Sequence, residues 1–367
     1  MTKSISVFVP LYNHEKFIRA TLTSALAQTL PPDEIVVIDD GSSDGSIEAA
    51  KSVLHPSIQI IAEQRNLGGP TTMRGLSFCK GNLVAILNSD DTWSPEKLKR
   101  QVDHLEKNQN CGVVFTLVSL IDEHGKTWKQ ATNRHQSLFQ ARNRDRHAWL
   151  RYFFHSGNVF CASSATVRRE CFDRLGPLDG RYVQLQDLDM WLRIAMAGYD
   201  IHVVQDNLTY YRLARNGSNM SVGSPQNRAI YATEYARLLR NYWSVLSLDE
   251  LLKIFPDISV SDDADDSLVL FYLAKYAAKQ PTLHHRLFAL ETMQKWGGNL
   301  EAMRLAAKCH GFTHIEYRNF VAGWPIKETL VLGLLTKIEK IANQFLPYDF
   351  QQRIKTLILR INDRRHS

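Results

Sequence analysis

Two pairs of adjacent aspartates, Asp39-Asp40 and Asp90-Asp91, each stand close behind a short apolar run, and that placement restricts the fold more than any other feature. The runs Ile5–Leu11, Glu34–Ile38, Ile58–Ala62 and Asn82–Leu87 read as strands, and their nearly continuous apolar character suits strands covered on both faces. Between the first two, Glu15–Gln28 sets Ile18, Leu22, Ala25 and Leu26 at helical spacing, and Leu30-Pro31-Pro32-Asp33 breaks that helix. Further helices are expected near Ser46–Val53 and ahead of Asn82. Ser94-Pro95, with Ser as N-cap and Pro at the first helical position, opens one more that runs to about Lys107. Strand–helix alternation of this kind gives an α/β fold, a largely parallel sheet with helices on both faces. Ligands bind such sheets outside the carboxyl ends of the strands, so both Asp pairs are expected on one edge despite about fifty residues between them.

Residues 111–225 read as mixed, with strands at Gly112–Ile121 and Ala162–Val167 and helices at Trp149–Phe154, Arg168–Leu175 and Asp187–Ala197. From Gln226 onward the pattern is helical only: Ala229–Trp243, Ser267–Ala278 and Pro281–Trp296. At 367 residues the chain suits two domains, since a single core rarely exceeds about 250–300 residues. A boundary is expected near residue 225, with 1–225 holding the sheet and 226–367 an all-helical region. The net charge of +6 and pI near 9.0 favour an anionic partner, a phosphate ligand or an anionic membrane. No zinc-finger spacing and no basic run with interleaved aromatics occurs, which argues against nucleic acid. The five cysteines are scattered, and no pair has metal-ligand spacing, as in reduced cytosolic chains. The opening apolar run is too short for a signal peptide, and no stretch of about 18 apolar residues occurs. The expected location is the cytoplasm or the cytoplasmic face of a membrane.

Several residue types in these strand-end loops can carry chemistry. Asp90-Asp91 is a hard oxygen pair that suits Mg²⁺ or Mn²⁺ with phosphate oxygens and water, although Asp at a helix start is also common for its charge alone. Asp39-Asp40 either accepts the imide N–H of a uracil or thymine or simply begins the turn Gly41-Ser42-Ser43-Asp44-Gly45. Tyr12 either stacks on that base or packs. Asp187 and Asp189 begin an amphipathic helix, where a carboxylate either takes a proton from an acceptor hydroxyl or caps the helix.

Together Val9-Pro10-Leu11-Tyr12-Asn13, Val37-Ile38-Asp39-Asp40-Gly41-Ser42-Ser43-Asp44, Leu87-Asn88-Ser89-Asp90-Asp91 and Asp187-Leu188-Asp189-Met190-Trp191-Leu192-Arg193 occur in that order. Over roughly residues 4 to 220 this resembles the family 2 glycosyltransferases with the GT-A fold. The resemblance implies an inverting, metal-dependent hexosyltransferase that takes its sugar from a nucleotide diphosphate, UDP or dTDP being expected. It implies that Pro10 and Tyr12 line the base, Asp40 binds its imide, Asp91 ligates the metal, Asp90 lies near the ribose or sugar, and Asp187 is the base. The chain departs from the family in three places. Gln186 stands where a Glu usually precedes the base. The stretch after Gly68-Gly69-Pro70 is shorter than usual, so that Arg74 is the candidate for the nucleotide-contacting Arg. Ala214 stands where many members carry His. Arg212 and Arg215, in what reads as a basic loop, are candidates for the diphosphate, and Ser163 for the sugar or acceptor.

The resemblance stops before residue 226. Beyond it, Ile326–Phe345 and Phe350–Ile361 are amphipathic, and Arg353–Arg365 carries Arg353, Lys355, Arg360, Arg364 and Arg365 against Asp363. That tail suits an anionic membrane surface near a lipid-linked acceptor, plain packing, or an oligomer contact. The expected function is sugar transfer to a glycan or lipid-linked acceptor in bacterial surface polysaccharide or glycolipid synthesis. The competing reading is a catalytically silent nucleotide-sugar-binding scaffold on the same fold, for which Gln186 is the support. A nucleotidyltransferase would need a Gly-rich triphosphate loop where Pro10-Leu11-Tyr12-Asn13 stands. A dinucleotide oxidoreductase would need a Gly-x-Gly-x-x-Gly turn that is absent.

Overall fold

The computed structural model describes residues 4–128, 139–213 and 225–322. Strands β1 (Ile5–Leu11), β2 (Glu34–Asp39), β3 (Ile58–Ala62) and β4 (Leu83–Ile86) form where the apolar runs predict them and pair in parallel in the order β3-β2-β1-β4. Helices α1 (Ile18–Leu26), α2 (Ser46–Lys51), α3 (Gly69–Phe78) and α4 (Lys97–Lys107) alternate with them. Helix α1 buries Ile18, Leu22 and Ala25 beside Ile5, Val7, Val9 and Leu11 of β1 and Leu98, Val102 and Leu105 of α4. The opposite face of the sheet, including Phe8, Val36 and Ile38, is equally dry. Burial on both faces explains the near-absence of polar residues in these strands. Helix α4 starts two residues later than Ser94-Pro95 suggests. Ser94 is held to the sheet by its N–H to Leu208 O at 2.9 Å, so that Glu96 becomes the N-cap.

The second half of the sheet is mixed. Strands β5 (Thr92–Trp93), β6 (Cys111–Ile121), β7 (Thr166–Arg168) and β8 (Asp200–Arg212) extend the order to β3-β2-β1-β4-β7-β6-β8-β5. β7 runs antiparallel to β4 and β6, β8 is parallel to β6, and β5 is antiparallel to β8. The strand expected over Ala162–Val167 is a 3₁₀ turn, Ala162–Ser164, followed by β7. The long β8 is absent from the sequence-based expectation. Its register against β6 shifts at three places, and the two that put extra residues into β8, around Leu117, interrupt the two-residue alternation by which a strand is recognised.

Helices α5 (Arg146–Ser156), α6 (Arg169–Leu175) and α7 (Gln186–Met196) cover this half through an aromatic layer. Phe115 stacks on Phe160 at 3.9 Å and meets Trp191 edge-on at 4.9 Å. The chain becomes wholly helical after residue 225, with α8 (Pro225–Leu239), α9 (Leu248–Ile254), α10 (Val269–Ala278) and α11 (Leu283–Gly297). The compact unit nevertheless runs to Gly298. Its helices seat on α5 by polar contacts: the Tyr242 hydroxyl donates to Leu150 O at 2.5 Å, and His285 Nε2 lies 2.6 Å from Phe154 O. The second unit begins at Asn299. Its described part is α12 (Leu300–His310), capped by Asn299 and ended by left-handed Gly311, and α13 (His314–Ala322). The amphipathic segments after residue 326 and the basic tail lie outside the described residues. Among the described residues, no helix is long and apolar enough to cross a membrane.

Glu234 of α8 shows how the helical part positions the rest. Its carboxylate accepts the backbone N–H groups of Val183, Gln184 and Leu185 at 2.5, 2.9 and 3.1 Å, the residues that lead into α7. Glu234→Ala leaves those donors without their acceptor in a largely buried place. We expect it to lower unfolding free energy by about 2–4 kcal/mol in denaturant titrations, against under about 1 kcal/mol for the exposed Glu301→Ala.

Candidate active site

Strand order reverses between β1 and β4: the chain passes from β1 outward to β2 and β3, then returns to β4 on the other side. The crevice outside the carboxyl ends of β1 and β4 is therefore the topological switch point. The loops leaving these ends are tied together. Asn13, at φ 52°, donates its N–H to Ser42 Oγ at 2.9 Å, and its side-chain oxygen accepts the Ser43 N–H at 2.8 Å. His14 donates its backbone N–H to Ser46 Oγ at 2.8 Å, and its ring Nδ1 lies 2.8 Å from Ser89 Oγ.

The first Asp pair divides its labour. Asp39 is fully buried and accepts both the N–H and the hydroxyl of Ser42, which closes the turn. Asp40 accepts from Leu67 N–H at 2.7 Å, Gly68 N–H at 2.8 Å and Thr71 Oγ1 at 2.5 Å, so its carboxylate holds the loop ahead of α3. Three of its roughly four acceptor positions are thus in use. Gly41 follows at φ 71°, and a Cβ there would stand 2.5 Å from Arg65 C. Pro10 pairs with Ile38 in the sheet, and Tyr12, 44% exposed, follows directly on β1. Arg74 is ion-paired with Glu63 and half exposed.

Asp91, expected to ligate a metal, has no exposed surface, and both of its oxygens are engaged. Oδ2 accepts the Ser163 hydroxyl at 2.5 Å and Oδ1 accepts the Arg212 N–H at 2.9 Å. Burial and the neighbouring Asp90 push its carboxyl well above the usual range. Asp90 is the partly exposed member. Burial raises its carboxyl too, while His14 and Arg212 pull it back. Ser163 is likewise a brace and not an open substrate contact, since its oxygen also accepts the Asn88 N–H at 3.0 Å. Arg212 lies in β8 and not in a loop. Its guanidinium is bound to the carbonyls of Asp90 and Asp122 at 2.7 and 2.6 Å and stacks over Phe17. Arg215 falls outside the described residues. Below this floor Lys97 is fully buried, its Nζ 3.7 Å from the centroid of Trp93, and burial drives its amine well below the ordinary range.

Asp187 stands in the first turn of α7, where Oδ1 accepts the Leu188 N–H at 2.7 Å and Oδ2 accepts from Asn158 Nδ2 at 2.6 Å. Burial pushes its carboxyl up to about 6, the two donors opposing. Asp189, two residues on, faces away and pairs with Arg193 at 2.7 Å. The buried Cys161 lies within reach of all three acids: burial, then Asp91, Asp90 and Asp187, raise its thiol well above the ordinary range. The fold thus brings both ends of the predicted constellation to one place. It adds His14, Asn158 and Cys161, which sequence reasoning does not pick out. Of these, only His14, directly after Tyr12-Asn13, carries a usable signal. The approach of the loop ahead of α7 to the start of α3 is backbone on backbone: a Cβ on Gly69 would stand 2.3 Å from Gly180 Cα.

The family described as Glycosyl transferase family 2 matches residues 6–176. An uncharacterized glycosyltransferase of Nostoc sp., alr2836, is 30% identical over 60% of this chain and 68% of its own length. The amylovoran biosynthesis glycosyltransferase AmsE of Erwinia amylovora is 29% identical over 59% of this chain and 77% of its own. A UDP complex of S. aureus TarS superposes with a TM-score of 0.52 over 87% of this chain and 90% of that one, at 16% identity. The fold is the GT-A α/β fold of nucleotide-diphospho-sugar transferases, with a helical C-terminal region. This chain belongs to glycosyl transferase family 2.

The raised carboxyl of Asp187 has a consequence for stability. With a folded value of about 6 against 3.8 unfolded, the native state holds a proton that the unfolded chain has released between these pH values. Stability therefore falls as pH rises through that window, and the whole penalty is present above about pH 6. Asp187→Asn should raise the melting temperature by about 2–4 °C at pH 7.5 and leave it unchanged near pH 3.5, as read by differential scanning calorimetry.

Proposed function

We propose that the chain transfers a sugar from a nucleoside diphosphate, UDP or dTDP, to an acceptor hydroxyl with inversion, in bacterial surface polysaccharide or glycolipid synthesis. One observation supports the reading: Asp187, whose carboxyl burial pushes up to about 6, and the partly exposed Asp90 both act on the same buried thiol, Cys161. In this reading Asp187 takes the proton of the acceptor hydroxyl as that oxygen attacks the anomeric carbon. The bond to the diphosphate breaks on the opposite face. A base with a value of about 6 is ionised at neutral pH yet still basic enough to help. The exposed ring of Tyr12, two residues beyond Pro10, supports stacking of a pyrimidine, and the remaining acceptor position of Asp40 supports a bond to its imide. The half-exposed Arg74 is assigned to the nucleotide beside Glu63.

Mn²⁺ or Mg²⁺ fits the donor set. Asp90 presents a hard oxygen ligand that no other side chain among the described residues hydrogen-bonds, and phosphate oxygens and water would complete the shell. When bound, such an ion offsets charge on the leaving diphosphate. The metal role thus passes from Asp91 to Asp90. Asp91 fixes the loop, and Arg212 keeps positive charge against both carboxylates. The name of one relative, AmsE in amylovoran biosynthesis, supports polysaccharide assembly. Residues 1–225 hold every group invoked here.

Calorimetric titration with UDP, dTDP, GDP and CDP, with and without Mn²⁺, tests the reading. UDP or dTDP should bind in a metal-dependent way and lose at least about tenfold in affinity in Asp90→Asn. Asp187→Asn should keep nucleotide affinity and lose about 10²–10⁴-fold in transfer rate. Nucleotide binding that ignores both the metal and Asp90 would overturn the assignment.

A further inference from the structure

At the edge of the sheet opposite Asp90, three metal-ligating side chains from three elements converge. His104 lies in the last turn of α4, Cys111 begins β6, and His202 stands near the start of β8. Their ligand atoms all fall within 4.8 Å of one another, the one such group of three among the described residues. His104 Nε2 and His202 Nδ1 are 2.8 Å apart, with the rings nearly perpendicular. Cys111 is fully buried and both histidines half buried.

The backbone is shaped to bring the cysteine there. Strict alternation along β6 would put Cys111 on the same side as Val113 and Phe115, and Phe115 faces Trp191 of α7. A register irregularity between Cys111 and Val113 turns Cys111 to the other side. There it shares a cluster with Val114 and with Leu98, Val102 and Leu105 of α4. Val114 is the register partner of His202, so sulfur and imidazole meet under α4. Re-aiming one side chain is what bulges of this kind do.

We propose that His104, Cys111 and His202 form a second cation site, selective for a thiolate- and imidazole-preferring ion such as Zn²⁺ and separate from the catalytic crevice. Tetrahedral zinc sets its nitrogen ligands about 3.3 Å apart and nitrogen and sulfur about 3.6 Å apart. The two rings would open by about half an ångström from their present 2.8 Å, and the sulfur, within 4.8 Å of both, would close by at most about 1.2 Å. Burial, with His202 and Lys107, holds the His104 ring below its ordinary value, which favours the neutral, ligating form. Burial raises the Cys111 thiol to about 12, while the hydrogen bond from the His202 backbone and then Arg168 oppose it. Cation binding displaces that proton to solvent as the metal–sulfur bond forms. The fourth position falls to water or to Asp200, which is opposite Cys111 in the register and bonded to Asn110 at 2.9 Å. The ion would staple α4, β6 and β8, and the proposal stands apart from the transferase reading.

Titration of the metal-free full chain with Co²⁺ tests it. One equivalent should give a thiolate-to-cobalt charge-transfer absorption, displaced by Zn²⁺. The band should vanish in Cys111→Ser. His104→Gln and His202→Gln should each weaken Co²⁺ binding at least about tenfold. Asp90→Asn should keep the band, so failure here and failure of the donor-site assignment are distinguishable. Absence of the band at stoichiometric Co²⁺, or a band that survives Cys111→Ser, overturns the proposal. Should Cys111→Ser not fold, His104→Gln, on the half-exposed side of α4, decides the matter: unchanged Co²⁺ affinity in that variant overturns the site.

Discussion

A carboxyl group removed from water costs several kcal/mol unless its oxygens find partners, and the buried Asp91, its carboxyl held well above the usual range, is such a group. Its two donors come from far along the chain, the hydroxyl of Ser163 and the backbone N–H of Arg212. Thr21 of α1 adds to the tie, its hydroxyl lying within 2.9 Å of both Ser89 O and Asp91 O. One buried acid therefore fastens the loop after β4 to the turn before β7, to the end of β8 and to the first helix. Remove it and the loop loses its conformation, and with it the outward position of Asp90. The open carboxylate depends on the closed one.

This division of roles explains what is legible in the sequence. Four apolar runs with turn-formers at their ends predict β1 to β4, because strands covered on both faces leave no other composition open. The convergence of Asp90 and Asp187 on one crevice is visible only through the ordered motifs. Which of two neighbouring aspartates points inward is not visible at all. Asp90 and Asp91 differ only in their distant partners, Ser163 and Arg212, and nothing local announces those. Strand β8 escapes notice for a related reason: the irregular register against β6 erases the alternation that would reveal it. Arg212 consequently reads as a loop residue, although it ends a strand.

The floor beneath the site is unusually polar for a core. Gln101 of α4 donates from Nε2 to Val114 O and Ser164 O and accepts from Thr166 Oγ1, all at 2.7–2.8 Å. Lys97 lies in the same helix, its amine 3.4 Å from Ala165 O and against the ring of Trp93, whose own N–H donates to Ser163 O at 2.7 Å. Groups like these gain little over an apolar packing of equal volume, yet each accepts only one arrangement of neighbours. They fix the turn carrying Ser163, and so fix Asp91.

The contact between Gly69 and Gly180 acquires meaning here. The loop held by Asp40 and the loop leading to Asp187 approach main chain to main chain at Gly69 and Gly180, with the Met73 sulfur packed beside them. A cushion of side chains damps movement, whereas two backbones in contact pass it on. A side chain added at either glycine would therefore push the two loops apart, and with them the two ends of the site.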